Sequence, residues 1–104
     1  MAVPEFTVRG NKVRIAGNTN EKTNCGKIEV YKDRMKIQQK GTVMSKGWIT
    51  VQFDNIVDVQ VSSLGKMRFQ TRRQDVSVTG LGGPPGTKLL EHIRDYLQNR
   101  QSGF

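Results

Sequence analysis

One amphipathic helix at the C-terminal end is the feature of this sequence that most constrains its fold. Between Thr87 and Gln101 the apolar residues recur at spacings of three and four, which places them on one face of a helix. These residues are Leu89, Leu90, Ile93 and Leu97. The break Gly82–Gly86 precedes the helix, and Thr87 is predicted to be its N-cap. Everything before this break has the pattern of strands, so the sequence predicts a curved sheet or barrel with one helix packed on it.

Seven upstream segments alternate apolar and polar residues, as half-buried strands do. Phe6 to Ile15 is either two short strands or one long strand with a glycine bulge at Gly10-Asn11, and the long bent strand is the preferred interpretation. The valines Val57, Val59 and Val61 are expected to share one side of a later strand. Gly17–Cys25 is polar and predicts an exposed loop that contains Cys25. The predicted fold class is therefore mainly β, a seven-stranded antiparallel barrel or sandwich capped by the C-terminal helix.

Length and charge limit the range of functions. The 104 residues suit a single domain over 1–104, with residues 1–5 and 101–104 expected to be disordered. With 17 Lys and Arg against 9 Asp and Glu, the net charge is +8, which favours a lipid head group, nucleic acid or acidic peptide as partner. Solubility alone also explains such a charge. The single cysteine favours a reducing cytoplasm, with peripheral contact at a membrane left open.

Three stretches carry a family resemblance. They are GKIEVYKDRMKIQQKG (Gly26–Gly41), ITVQFDNIVDVQV (Ile49–Val61) and TKLLEHIRDYLQ (Thr87–Gln98). Their order resembles that of bacterial pleckstrin-homology-like (PH-like) domains over roughly residues 26–100. The resemblance implies a module that binds phosphoinositides, peptides or other proteins. In the bacterial group the first strand usually leads almost directly into the hairpin, whereas here Asn11–Cys25 intervene.

A basic end is expected where the loops after the first, third and sixth strands meet. In PH-like domains this open end binds anionic head groups, so the resemblance implies an anion site there. The candidate residues are Lys12, Arg14, Lys22, Lys27, Lys40, Lys46, Arg72 and Arg73. Lys12 and Arg14 are two residues apart, so they share one strand face and could reach one phosphate cluster. The alternative is that basic residues occupy strand ends because they cannot be buried.

Other function classes make different demands. Single-stranded nucleic acid would need exposed aromatic rings beside the basic residues, and Tyr31 and Trp48 are the candidates. An assembly module would use an exposed strand edge, and a homo-oligomer stays open. An enzyme is not expected, because no Ser/His/Asp arrangement is recognisable and His92 is predicted to be a solvated helical residue. We expect no cofactor, no metal and no membrane-spanning segment.

Overall fold

The computed structural model describes residues 3–16, 22–40, 45–62 and 64–102. Within these residues the chain forms eight strands, one 3-10 turn (Phe53–Asn55) and one helix. The strands are β1 (Phe6–Arg9), β2 (Lys12–Ala16), β3 (Lys22–Val30), β4 (Arg34–Lys40), β5 (Ser45–Gln52), β6 (Ile56–Val61), β7 (Met67–Thr71) and β8 (Asp75–Val78), and the helix is α1 (Pro84–Ser102). The predicted mainly-β class with a C-terminal helix is confirmed.

The strands form one antiparallel sheet in the order β5-β4-β3-β2-β8-β7-β6, with β1 also paired to β3. Among the described residues no strand pairing joins β5 to β6, so the sheet is curved and open. The chain passes from β5 to β6 through the 3-10 turn, where the N–H of Phe53 donates to the carbonyl of Asp33 at 3.0 Å. The sandwich alternative of the prediction therefore fits better than a closed barrel.

The first two strands occupy the same edge of β3. Phe6 pairs with Val30 and Lys12 with Asn24, so β1 and β2 act as one long strand interrupted at Gly10. A Cβ at Gly10 would lie 2.6 Å from Cγ1 of Val78, which is closer than two carbons can approach, so glycine is required there. The segment forms two strands rather than the preferred single one, which accounts for the count of eight strands within the described residues. The two strands continue each other along β3 in one register, as a bent strand would.

The expected loop Gly17–Cys25 is wrong in its second half, since β3 begins at Lys22. Cys25 is 8% exposed and pairs with Gln39, so it is a core residue rather than a loop residue. The polar composition was misleading because Asn24 faces outward while Cys25 faces the core. Residues 17–21 lie outside the described residues.

Two further expectations need correction. The helix begins at Pro84, which suits the first helical position, and Thr87 lies in the first turn, where its hydroxyl donates to the Gly83 carbonyl at 3.3 Å. The three valines of β6 do not share one environment. The register shifts between Ile56 and Asp58, which leaves Val57 64% exposed while Val59 packs on the core.

The core lies between the inner face of the curved sheet and the helix. Its fully buried residues include Val13, Ile28, Met35, Ile37, Phe53, Met67, Phe69, Leu89 and Ile93. Leu90 and Leu97 pack against this cluster, so the predicted apolar face of α1 is confirmed.

The prediction of a solvated His92 is wrong, because α1 docks over β1 and the 3-10 turn. Its Nε2 lies 2.8 Å from the Tyr31 carbonyl oxygen, and its ring packs edge-on against Phe6.

Candidate anion-binding face

Among the described residues, five exposed basic side chains project from the outer surface of β1–β4. Side chains alternate across a strand, so the buried positions Val8, Val13 and Ile28 direct their neighbours outward. The outward residues define what we call the basic face. They are Arg9, Lys12, Arg14, Lys27 and Lys40, and all five are exposed.

Strand register brings these side chains together. Arg9 lies opposite Lys27 on β1 and β3. Lys12 and Lys40 both pair with Asn24, one from each side, so they are separated by two strand spacings, about 10 Å. Charges at this separation act jointly on one anionic surface, because about 10 Å is also the screening length in 0.1 M salt.

The charge of the basic face is not neutralised within the described part of the protein. The described ion pairs join Arg34 to Asp33, Arg68 to Asp75 and Glu5 to His92, and none involves the basic face. The carboxylate of Glu29 on β3 instead accepts a hydrogen bond from the Tyr31 hydroxyl at 3.2 Å. Like charges at opposed strand positions are unfavourable, so this surface holds positive charge that an external anion could compensate.

The structure brings together only some of the eight candidate anion-binding residues predicted from the sequence. It brings together Lys12, Arg14, Lys27 and Lys40, and the side chains of Lys22 and Lys46 lie outside the described residues. Arg72 and Arg73 belong to the turn between β7 and β8.

Arg73 is remote from Lys40. It lines a shallow pocket of about 220 Å³ together with Thr50 and Gln52, at the C-terminal end of β5. Lys40 pairs with Ser45 at the N-terminal end of the same strand. Five to seven residues of strand separate these positions, which corresponds to about 20 Å. Arg73 therefore does not act in one cluster with Lys40.

Sequence reasoning missed Arg9. The alternation of Phe6 and Val8 was a signal that Arg9 faces outward, but its place beside Lys27 depends on the pairing of β1 with β3. Trp48 also lies on this outer surface, where it is 45% exposed and pairs with Gln38. The side-chain oxygen of Gln38 accepts a hydrogen bond from the backbone N–H of Lys27 at 3.3 Å, so the indole lies two strands from Lys27 and one strand from the strand that carries Lys40.

Tyr31 is not available as a stacking platform. It was expected to be free for exposure, but only 8% of its surface is accessible. The Arg34 guanidinium lies 4.8 Å and the Lys36 ammonium 5.7 Å from its ring centroid, so the two cations cover the ring. Burial, followed by the hydrogen bond to Glu29, raises the pKa of the Tyr31 phenol.

Three strand edges lack a partner among the described residues. Two are the terminal strands β5 and β6, and the third is the side of β1 that faces away from β3.

No helix in the described ranges has the length and apolarity that a membrane crossing requires. In the same ranges no three His, Cys, Asp or Glu side chains come close enough to share a metal ion.

No protein-family model matches the chain, and no curated protein is detectably similar to it in sequence. The function must therefore be inferred from the chemistry of the basic face.

Proposed function

We propose that this protein is a non-enzymatic, PH-like binding module whose basic face docks on an anionic membrane surface in the cytoplasm. The observation that carries the proposal is the gathering of five exposed cations without an acidic partner among the described residues. They project from a sheet, and a sheet presents them over a broad area that matches a layer of head groups better than a single small anion.

The energetics are sufficient for reversible attachment. Each Lys or Arg near an anionic leaflet contributes about 1 kcal/mol. Two of these residues therefore account for about 2 kcal/mol, which corresponds to roughly 30-fold in affinity. An amphipathic indole is favourable at the boundary between water and lipid, so the exposed ring of Trp48 adds to this contact.

A membrane suits this surface better than single-stranded nucleic acid does. Strand-binding proteins stack successive bases on several aromatic rings beside a positive groove. Of the two rings proposed for that role, Tyr31 is buried under Arg34 and Lys36, and Trp48 alone is accessible. Nucleic-acid binding consequently becomes an outcome that the experiment must exclude.

The PH-like assignment is supported by the order of the elements. A four-stranded half (β2–β5) and a three-stranded half (β6–β8) meet at β2, and one C-terminal helix follows. The proposed lipid contact lies on the sheet face rather than at the open loop end that the resemblance implies, because Lys12, Arg14, Lys27 and Lys40 project from the outer surface of the sheet. Of the three loops at the expected open end, 17–21 and 41–44 lie outside the described residues.

The test is co-sedimentation with vesicles of neutral, phosphatidylserine-containing and phosphoinositide-containing composition. The variant Lys12→Glu/Lys40→Glu should weaken binding to anionic vesicles at least 30-fold. The matched control is Lys32→Glu/Arg94→Glu, which changes the net charge equally at exposed positions outside the basic face, in the turn between β3 and β4 and on α1. Equal losses in both variants would mean that net charge alone drives binding, and the proposed site would be abandoned.

Two further readouts sharpen the test. The chain has one tryptophan, so a blue shift of its emission on vesicle binding would report directly on Trp48. Single-stranded DNA added as competitor should displace the protein weakly at physiological salt. Displacement by equal phosphate concentrations of DNA would favour the nucleic-acid alternative.

A further inference from the structure

No described strand pairs with the edge of β1 that faces away from β3. On this side of the sheet β2 pairs with β8, and the pairing ends where the N–H of Asn11 donates to the Thr79 carbonyl at 2.7 Å. The chain then turns away at Gly80, whose φ is +82°. A Cβ there would lie 2.7 Å from Cβ of Asn11, so glycine is needed at the turn. Beyond this turn, no described strand continues alongside β1.

Thr7 and Arg9 of β1 direct their backbone N–H and C=O groups toward this unpaired edge. In an antiparallel pair, alternate residues direct both N–H and C=O toward the partner strand. Gly10 donates to Gly26 on β3 at 3.3 Å, so Val8 and Phe6 face β3 as well. The N–H and C=O groups of Thr7 and Arg9 consequently point away from β3. No described residue forms a hydrogen bond with them on that side.

A groove of about 690 Å³ separates this edge from the first turn of α1. It is lined by Phe6, Thr7, Val8, Arg9, Pro84, Pro85 and Lys88. Most of its lining is apolar, and the two prolines contribute no backbone N–H. The Lys88 ammonium lies 4.6 Å from the ring centroid of Phe6. Lys88 and Arg9 flank the groove, and neither joins an ion pair among the described residues.

We propose that this groove binds an extended, acidic segment of a partner protein, which adds to β1 as a further strand. The unpaired edge selects an extended backbone, since strand addition supplies its affinity through main-chain hydrogen bonds. Alternate side chains of such a segment point to one face, so apolar residues at every second position would meet Phe6 and the prolines. Asp or Glu between them would project from the same face as Arg9, and Lys88 at the rim of the groove adds positive charge that attracts an acidic segment.

Charge complementarity argues against a second copy of this chain as the occupant. Pairing of two β1 strands would bring the cations Arg9 and Lys88 of one copy toward those of the other. Like charges at opposed strand positions are unfavourable. The four residues of β1 fit a peptide segment of about four to six residues.

The experiment uses the full chain and a labelled hexapeptide, acetyl-Glu-Val-Glu-Val-Glu-Val-amide, with fluorescence anisotropy as readout. Two control peptides accompany it. One replaces each Glu by Lys, and the other carries N-methyl groups on alternate peptide nitrogens, which removes the hydrogen bonds of one strand edge. We expect the acidic peptide to bind, and both control peptides to bind at least tenfold more weakly.

Protein variants locate the contact. Lys88→Glu and Thr7→Pro should each weaken binding at least tenfold, since one reverses a flanking charge and the other deletes an outward N–H. Lys66→Glu is the matched control, because Lys66 is an exposed lysine that does not line the groove, so its reversal should leave peptide binding unchanged. Lys88→Glu is an exposed helical substitution, so the test stands even if Thr7→Pro impairs folding.

Several results would overturn the proposal. They are absence of binding by the acidic peptide, equal binding by its N-methylated form, or equal weakening by Lys66→Glu and Lys88→Glu. The membrane proposal is tested independently, because Lys12→Glu/Lys40→Glu should weaken binding to anionic vesicles at least 30-fold and leave peptide binding unchanged. If Lys12→Glu/Lys40→Glu loses peptide binding and Lys88→Glu keeps it, the acidic peptide binds to the basic face. The groove would then be abandoned as its binding site.

Discussion

Arg9 and Lys27 lie directly opposite each other on β1 and β3, so two like charges occupy one cross-strand position. Both side chains are exposed, and neither has an acidic partner within the described residues. Such a pair is destabilising by roughly 0.2–1 kcal/mol. The sheet therefore keeps a concentrated positive charge on its surface at some expense in stability.

The first prediction follows from this pair. Arg9→Glu should raise the free energy of unfolding by about 0.5–1 kcal/mol, because repulsion with Lys27 becomes attraction. The same change should weaken binding to anionic vesicles. Urea unfolding at low salt measures the gain, and 1 M NaCl should remove most of it by screening. With Lys66→Glu as control, an equal gain in both variants would trace the effect to net charge rather than to the pair.

The second prediction concerns the buried thiol of Cys25. Burial raises its pKa, and the thiol donates to the Gly26 carbonyl at 3.6 Å. The folded state therefore favours the neutral thiol. Its contribution to stability is complete below the ordinary thiol pKa of about 8.5 and is lost as the pH rises through the raised value.

Two measurements check this behaviour. A disulfide reagent should modify Cys25 far more slowly in the native protein than in urea. The difference in unfolding free energy between wild type and Cys25→Ala should shrink between pH 7 and pH 10. A difference that stays constant over this range would contradict the sign of the shift.

The third prediction concerns the start of α1. A Cβ at Gly86 would lie 1.8 Å from the carbonyl oxygen of Leu81, so the helix N-terminus packs against this backbone without room for a methyl group. Gly86→Ala should cost about 1–3 kcal/mol, as overpacking does. At Gly82 the nearest atom to an added Cβ is 3.7 Å away, so Gly82→Ala should be close to neutral. Thermal unfolding of the two variants should separate them clearly, and similar melting temperatures would count against the tight contact.

The fourth prediction uses the phenol of Tyr31, whose pKa is raised by burial and by the hydrogen bond it donates to Glu29. The neutral form is favoured in the folded protein. Stability from this group is present below the ordinary phenol pKa of about 10 and is lost as the pH rises through the raised value. In a Tyr96→Phe background, absorbance near 295 nm should titrate above pH 10. The variant Glu29→Gln should bring the midpoint down, and an unchanged midpoint would assign the shift to burial alone.

The sequence was most informative where one element carries its own pattern. The spacing of Leu89, Leu90, Ile93 and Leu97 records directly which side of the helix is buried, and the structure buries that side. Pro84-Pro85 also contained the true start of the helix, because proline is favoured at the first position, where its missing N–H is not needed.

The properties that depend on register could not be predicted. Tyr31 is buried by Arg34 and Lys36, which reach it only because β3 and β4 pair as they do. The separation of Lys40 from Arg73 follows from the curvature of the sheet, which brings the turn after β7 to the far end of β5. Alternation specifies which face a residue occupies and gives no information about its neighbour on the next strand.

The pairing of β2 with β8 also sets the order in which parts of the protein can fold during synthesis. Lys12 and Thr79, which hydrogen-bond across it, are 67 residues apart in the chain. The hairpin of β3 and β4 needs contacts of short range and can form early, whereas β2 keeps one side open until β8 has been translated. Long-range closures of this kind slow folding because the loop entropy is lost before the contacts form. A ribosome-bound chain that stops before residue 79 should therefore expose the unpaired backbone edge and apolar side chains of β2, which chaperones would recognise.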